Sequence, residues 1–167
     1  MVDTSRLQMT EVRLNTADET MAAGGDLARR LRGASLDQAI IFLIGDLGMG
    51  KTTLARGFLR ALGQTGRVPS PTYTLIEPYE LDSLTVYHVD LYRLANPRDA
   101  DELGLRELPG PGVVMLVEWP ERAGERLPRA DLSVTLTLAG VGRKMELRAA
   151  TAAGDRLLAP KIDKKDL

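Results

Sequence analysis

Residues 45–52 read Gly-Asp-Leu-Gly-Met-Gly-Lys-Thr and satisfy the pattern G-x-x-x-x-G-K-[ST] at every fixed position. This spacing serves phosphate binding. Successive backbone N–H groups of a glycine-rich turn, continued by the positive end of a helix dipole, form a cradle for phosphate oxygens. In such a cradle Asp46, Leu47, Gly48, Met49 and Gly50 contribute backbone. Lys51 sets its ammonium on the β- and γ-phosphates, and the Thr52 hydroxyl becomes a ligand of Mg²⁺. Thr53, in the same first turn, reaches the α-phosphate. The expected ligand is a nucleoside triphosphate.

A carboxylate at the end of a neighbouring strand is the second requirement, because it holds the phosphate-bridging Mg²⁺ directly or through water. Two positions qualify: Asp90, after Thr85-Val86-Tyr87-His88-Val89, and Glu118, after Val113-Val114-Met115-Leu116-Val117. Both would lie where open α/β sheets bind ligands, beyond the carboxyl ends of strands. The second run is the more apolar and therefore the more central, which favours Glu118 as the Mg²⁺ ligand. Asp90 is then left to hydrogen-bond the attacking water or the metal's water shell. With Lys51 these two carboxylates make the expected catalytic set; a helix cap or an ion pair is the alternative use of either one.

His88 falls two residues before Asp90, on the same face of a strand. It reads either as a proton relay or as a hydrogen-bonded core residue. Thr72, in Ser70-Pro71-Thr72, reads as a sensor of the γ-phosphate or as part of a proline-fixed turn. Trp119, beside Pro120 and Glu121, reads as an exposed ring that covers the nucleotide or anchors a partner. Arg56, Arg93, Arg106 and Arg143 are candidates for stabilising charge, and spacing does not rank them.

The elements needed to position these groups are legible around them. The apolar run 39–44 leads into the glycine loop as a buried strand does, and a helix over 51–62 leaves it and stops at Gly63. Thr16-Ala17-Asp18-Glu19 has the form of a capping box for a helix reaching about Arg32. Gly24-Gly25 inside it costs helix propensity, which a close backbone approach to the sheet or to a ligand would explain. Residues 11–14 alternate like a short strand. Residues 63–72 are rich in turn formers, as a switch segment is. Residues 73–79 and 84–89 read as strands of a hairpin, and Asn96-Pro97 opens a short helix to about Leu103. Residues 132–138 and 144–150 alternate around Gly140-Val141-Gly142, as an antiparallel hairpin at the sheet edge would. The fold class that results is a mixed α/β sheet flanked by helices, parallel at its core and antiparallel at its edges.

The 167 residues suffice for one domain, with 1–10 and 159–167 expected to be loose ends. Cysteine is absent, which excludes disulfides and thiolate metal sites. No run approaches the ~20 apolar residues of a membrane span, so the expectation is a cytoplasmic protein without a membrane. A formal net charge of −1 and few aromatic residues argue against a dedicated nucleic-acid binder. GTP specificity is unsupported: a guanine-reading N-K-x-D is lacking, and the D-x-x-G at 101–104 falls in an expected helix.

Taken in order, residues 45–53, Arg56-Gly57, Ser70-Pro71-Thr72-Tyr73-Thr74, Tyr87-His88-Val89-Asp90-Leu91-Tyr92-Arg93 and Val117-Glu118-Trp119-Pro120 resemble the bacterial TsaE (YjeE) ATPases. Those proteins serve N6-threonylcarbamoyladenosine modification of tRNA. The resemblance spans about residues 10–150 and is far more specific than the glycine loop alone. It implies slow ATP hydrolysis that resets a TsaD–TsaB heterodimer between rounds, with tRNA met only through that complex. It also implies Lys51, Thr52 and Thr53 on phosphate and metal, Glu118 on Mg²⁺ and Asp90 in hydrolysis. Trp119 and the Gly142-Arg143 turn are implied near the nucleotide, and the helix start at 16–20 near the base. Met49 stands where the family is expected to carry alanine, a harmless change if its side chain points outward. Residues 35–37 look like a small insertion.

Two other readings use the same phosphate apparatus. A small-molecule kinase needs an arginine-rich lid to exclude water, and the loop 120–129 carries three arginines. A nucleotide-gated binding module without relevant turnover is the other.

Overall fold

The apolar hexapeptide Ala39–Ile44 forms the middle strand of the sheet, and everything that builds the cleft is arranged about its carboxyl end. The computed structural model describes residues 9–159. In chain order the elements are β1 (Met9–Leu14), α1 (Ala17–Gly33), β2 (Ala39–Ile44), α2 (Lys51–Ala61), β3 (Ile76–Leu81), β4 (Leu84–Asp90) and α3 (Asp99–Glu102). Then come β5 (Val113–Glu118), two 3-10 turns at Pro120–Arg122 and Gly124–Arg126, β6 (Leu132–Ala139), β7 (Gly142–Ala149) and α4 (Ala152–Leu158). The strands make one sheet in the order β1-β7-β6-β2-β5-β4-β3. β6, β2, β5 and β4 are mutually parallel, while β7 pairs antiparallel with both β6 and β1 on one side and β3 pairs antiparallel with β4 on the other. This is the mixed sheet with a parallel core that the patterning implies.

Alternation along the central strands divides the core in two. Val114 and Leu116 of β5 join Ile41, Leu43, Leu54 and Phe58 on the face covered by α1, α2 and α4. Met115 and Val117 join Val89, Leu91 and Leu105 on the face covered by α3 and irregular chain. β4 follows the same rule, with Val86 on the helical side and Val89 on the other. His88, Asp90 and Glu118 therefore emerge on the helical side, the side of the glycine loop's own helix.

Thr16 caps α1 as expected, its hydroxyl accepting from the Glu19 N–H at 3.1 Å, while Glu19 Oε2 accepts from the Asn15 N–H at 2.6 Å. The glycine pair inside α1 does face a close backbone approach, but to α2 rather than to the sheet or a ligand. A Cβ on Gly24 would stand 1.9 Å from the Leu54 carbonyl oxygen, and one on Gly57 equally 1.9 Å from that of Met21. The two helices exchange glycines at their crossing, and α1 is thereby pressed against the base of the glycine loop.

Several boundaries differ from the sequence reading. Met9 and Thr10 belong to β1 rather than to a loose end; residues 1–8 and 160–167 lie outside the described residues. β3 begins at Ile76, not Tyr73, because Leu75 takes φ 65° and closes a turn in which its N–H bonds the Pro71 carbonyl. α3 begins at Asp99, the Asn96 side chain having accepted from the Arg98 N–H in the turn before it. The β6–β7 hairpin is not the sheet edge, since β1 pairs along β7 and takes that place. α4 was not expected; Thr151 caps it by accepting from the Gly154 N–H at 3.2 Å.

Candidate functional site

The glycine loop joins β2 to α2 with Gly50 at φ 102°, a left-handed conformation that favours glycine and turns the first N–H groups of α2 toward the cleft. The buried Thr20 of α1 packs its methyl 3.2 Å from where a Cβ on Gly50 would be. The helix start at 16–20 thus abuts the glycine loop. Met49 is half-buried and packs on the larger core cluster, so its side chain does not point outward as a harmless substitution would require.

Lys51 is 5% exposed, and its ammonium donates to the carbonyls of Gly45 and Asp46, the latter at 2.9 Å. The same Nζ lies 4.1 Å from the centre of the Trp119 ring. Its pKa is lowered below the ordinary lysine value, because burial disfavours the charge more than Glu118, Glu121, Asp90 and Asp46 favour it. Trp119 itself is half-buried rather than exposed, and Pro120 is buried. At φ 57° Trp119 turns the chain out of β5 so that its ring lies over the loop, 4.9 Å from the Tyr92 ring.

Asp90 and Glu118 are direct register partners on β4 and β5, both 3% exposed, and the structure brings both to the cleft. They have different partners. Glu118 Oε1 accepts from Thr52 Oγ1 at 2.9 Å and sits 2.7 Å from His88 Nε2. Asp90 Oδ2 accepts from Ser70 Oγ at 3.1 Å and Thr72 Oγ1 at 3.3 Å, while Oδ1 accepts from the Tyr92 N–H at 2.9 Å. Glu118 is thus tied to the first turn of α2. Asp90 is tied to the turn-rich segment 63–72. His88 contacts Glu118, so the relay to Asp90 has no direct bond here.

The cleft has a volume of about 310 Å³ and is lined by residues 47–53 together with Ser70, Thr72, Asp90, Tyr92, Glu118, Trp119 and Arg143. Asp46 of the expected set contributes its carbonyl to Lys51 instead of lining the cleft. Of the four arginines considered, Arg143 alone lines it, donating to the Gly48 carbonyl at 3.0 Å. Arg56 bonds the Val68 carbonyl and anchors the segment 63–72, Arg93 stacks 4.3 Å from the Tyr73 ring, and Arg106 bonds the carbonyls of Glu125 and Arg126. Sequence reasoning gave no site role to Tyr92, which lines the cleft, and counted Arg122, whose guanidinium is 5.7 Å from the Trp119 ring, only among the arginines of loop 120–129. For Tyr92 a signal existed: an aspartate whose side chain accepts the N–H two residues on is a common turn.

Among the described residues no three or more His, Cys, Asp or Glu side chains cluster to hold a metal. The donors that do meet, a threonine hydroxyl and one carboxylate, are hard oxygens. Such a pair suits Mg²⁺, which completes its octahedron with phosphates and water rather than with a protein cage.

The family model described as Threonylcarbamoyl adenosine biosynthesis protein TsaE matches residues 14–145, a span that contains every cleft residue named above. The chain belongs to the TsaE family. It is 42% identical over 120 residues to the tRNA threonylcarbamoyladenosine biosynthesis protein TsaE of Haemophilus influenzae, covering 72% of this chain and 76% of that one. To the TsaE protein of Nostoc it is 35% identical over 162 residues, covering 92% and 94%. The crystal structure of Bacillus subtilis YdiB matches with a TM-score of 0.72 at 29% identity, covering 93% of this chain and 95% of that one. Shared family and fold extend over both faces of the sheet, not the loop alone. Among the described residues no helix is long and apolar enough to cross a membrane.

Proposed function

We propose that this TsaE-family chain is a Mg²⁺-dependent ATPase of low intrinsic rate, stimulated by a TsaD–TsaB heterodimer, and that it serves threonylcarbamoyladenosine formation in tRNA. The observation that carries the reading is the hydrogen bond from Thr52 Oγ1 to Glu118 Oε1 at 2.9 Å. It joins the first turn after the glycine loop to a buried strand-end carboxylate. The loop's N–H groups and Lys51 bind the β- and γ-phosphates, and Thr52 with Glu118 holds Mg²⁺ directly or through its water. When bound, the metal supplies charge neutralisation on the phosphates. Asp90, one strand over, accepts a hydrogen bond from the attacking water. Trp119 and Arg143 close the cleft around the nucleotide, and Ser70 and Thr72 link Asp90 to the segment that a partner would move.

The net charge of −1 leaves contact with tRNA to the partners. The kinase alternative loses support from its own lid: Arg126 pairs with Asp101 at 2.6 Å and Arg129 bonds the Ala150 carbonyl at 2.6 Å, which leaves one of the three arginines near the cleft.

The deciding experiment is phosphate release from Mg²⁺-ATP by the full chain, alone and with the TsaD–TsaB pair. Slow release that the pair accelerates is the expected result. Slow release unaffected by the pair would remove the partner-coupled role and turn the search to phosphoryl acceptors.

A further inference from the structure

His88 takes no part in the reaction as proposed, yet it is fully buried and its Nε2 lies 2.7 Å from Glu118 Oε1. Its other nitrogen, Nδ1, is buried and has no hydrogen-bond partner among the described residues. An ionised carboxylate only accepts, so the ring must donate, and the proton belongs on Nε2. A second proton on Nδ1 would bury an N–H with nothing to receive it. The geometry therefore aims the Nε2–H at Glu118 and gives Nδ1 no partner.

The same oxygen also receives the Thr52 hydroxyl at 2.9 Å. Two donors occupy the two lone pairs of Oε1 and leave Oε2 as the oxygen still able to accept. The terminal torsion of a glutamate is broad and its two oxygens are equivalent, so what these bonds fix is the tilt of the carboxylate plane, with one oxygen held and the other free. Thr52 can bind the metal through a lone pair and still donate its O–H to Oε1, but a single donor leaves the carboxylate free to pivot about that one bond. The histidine arrives from β4, and its register partner on β5 is Leu116, two residues before the Asp90–Glu118 pair. On that side of the sheet it leans along the strand toward the carboxylate.

We propose that His88 is a positioning residue for metal binding: its Nε2–H holds Glu118 Oε1 and thereby assigns Oε2 to Mg²⁺ or to the metal's water. The inference rests on the reading of Thr52 and Glu118 as the metal pair. It adds a side chain that touches neither nucleotide nor metal, and a particular oxygen. Outer-shell partners of this kind typically change metal affinity by ~10–100-fold when removed.

The test uses the full chain and its single histidine and single tryptophan. Mg²⁺ is titrated into protein saturated with a non-hydrolysable ATP analogue while Trp119 fluorescence is followed, in the wild type, His88→Phe and His88→Gln. The imidazole ¹⁵N spectrum of nucleotide-free wild type and Glu118→Gln is recorded alongside. The expected result is that His88→Phe needs ~10–100-fold more Mg²⁺, with nucleotide affinity in EDTA unchanged. His88→Gln, whose amide nitrogen takes the place of Nε2, recovers most of that loss. The spectrum shows Nε2 carrying a proton, and its resonance moves in Glu118→Gln.

A folded His88→Phe with wild-type Mg²⁺ dependence overturns the inference, as does a His88→Gln no better than the phenylalanine variant or a ring protonated on Nδ1 alone. Should His88→Phe fail to fold, the glutamine variant and the spectrum decide. A wild type that binds nucleotide without responding to Mg²⁺ overturns the metal reading of the cleft, and the positioning role with it. A Mg²⁺-responsive wild type beside an unaltered His88→Phe overturns the positioning role alone.

Discussion

The two walls of the cleft are built from different materials. Residues 45–53 form a wall of backbone: a loop with Gly50 at φ 102°, the N-terminus of α2, and a lysine folded over its own loop carbonyls and under a tryptophan ring. The facing wall is made of side chains. There Asp90 Oδ2 is shared between Ser70 at 3.1 Å and Thr72 at 3.3 Å, Ser70 is exposed, and the adjoining Tyr73 is 81% exposed. Backbone geometry and a helix dipole present donors without reorganisation. Two hydroxyls on one carboxylate oxygen can be exchanged at small cost. The first wall suits a constant task, holding phosphates, and the second suits one that changes with a partner.

On the first wall the expected effect falls on binding. Lys51→Ala removes charge-assisted bonds to two phosphates, which at about 1.5 kcal/mol each lowers ATP affinity roughly 100-fold. Calorimetric titration checks it, and wild-type affinity in that variant would sink the phosphate assignment. On the second wall the effect should fall on turnover instead. Asp90→Asn keeps nucleotide affinity but replaces the carboxylate by an uncharged, non-basic amide beside the attacking water, with turnover reduced by about 10²–10⁴-fold. Ser70→Ala combined with Thr72→Val leaves the carboxylate in place without its two hydroxyls, and turnover drops about tenfold, the worth of roughly one hydrogen bond. Steady-state ATPase assays beside binding titrations separate the walls. If the hydroxyl variants lost affinity rather than turnover, the division between a binding wall and an adjustable wall would be wrong.

What could be read in advance follows the same division. The loop 45–52 and the Thr16–Glu19 cap are local, each declared by a few adjacent residues, and both formed as read. Glu118 was placed at a strand end by the apolar run before it, and β5 does lie next to the middle strand β2, one place further in than β4. The failures involve partners distant in sequence. Gly24 faces Leu54 of another helix, and β1 covers β7 from some 130 residues away. Nothing within a single segment indicates either meeting. The direction of the Met49 side chain was left open for the same reason, since it is set by packing on the larger core cluster. The beginning of β3 was misread because Leu75 adopts a positive φ, a conformation without a signal in that residue type.

The smallest effect distinguishes the walls by proton binding. Burial lowers the pKa of Lys51, so between that lowered value and the ordinary lysine value of about 10.4 the folded chain carries fewer protons than the unfolded one. Stability from this group therefore rises with pH across that window and is flat below it. Lys51→Met keeps the length of the side chain and abolishes the titration, while costing a pH-independent amount for the carbonyls of Gly45 and Asp46 that lose their donor. The difference in urea midpoint between the two proteins, measured without nucleotide over a pH series, should shift toward the wild type as pH rises through the window. A difference that stays constant would mean that the unliganded loop holds the ammonium without strain from burial, and the backbone wall would then be preset for the lysine's charge as well as for the phosphates.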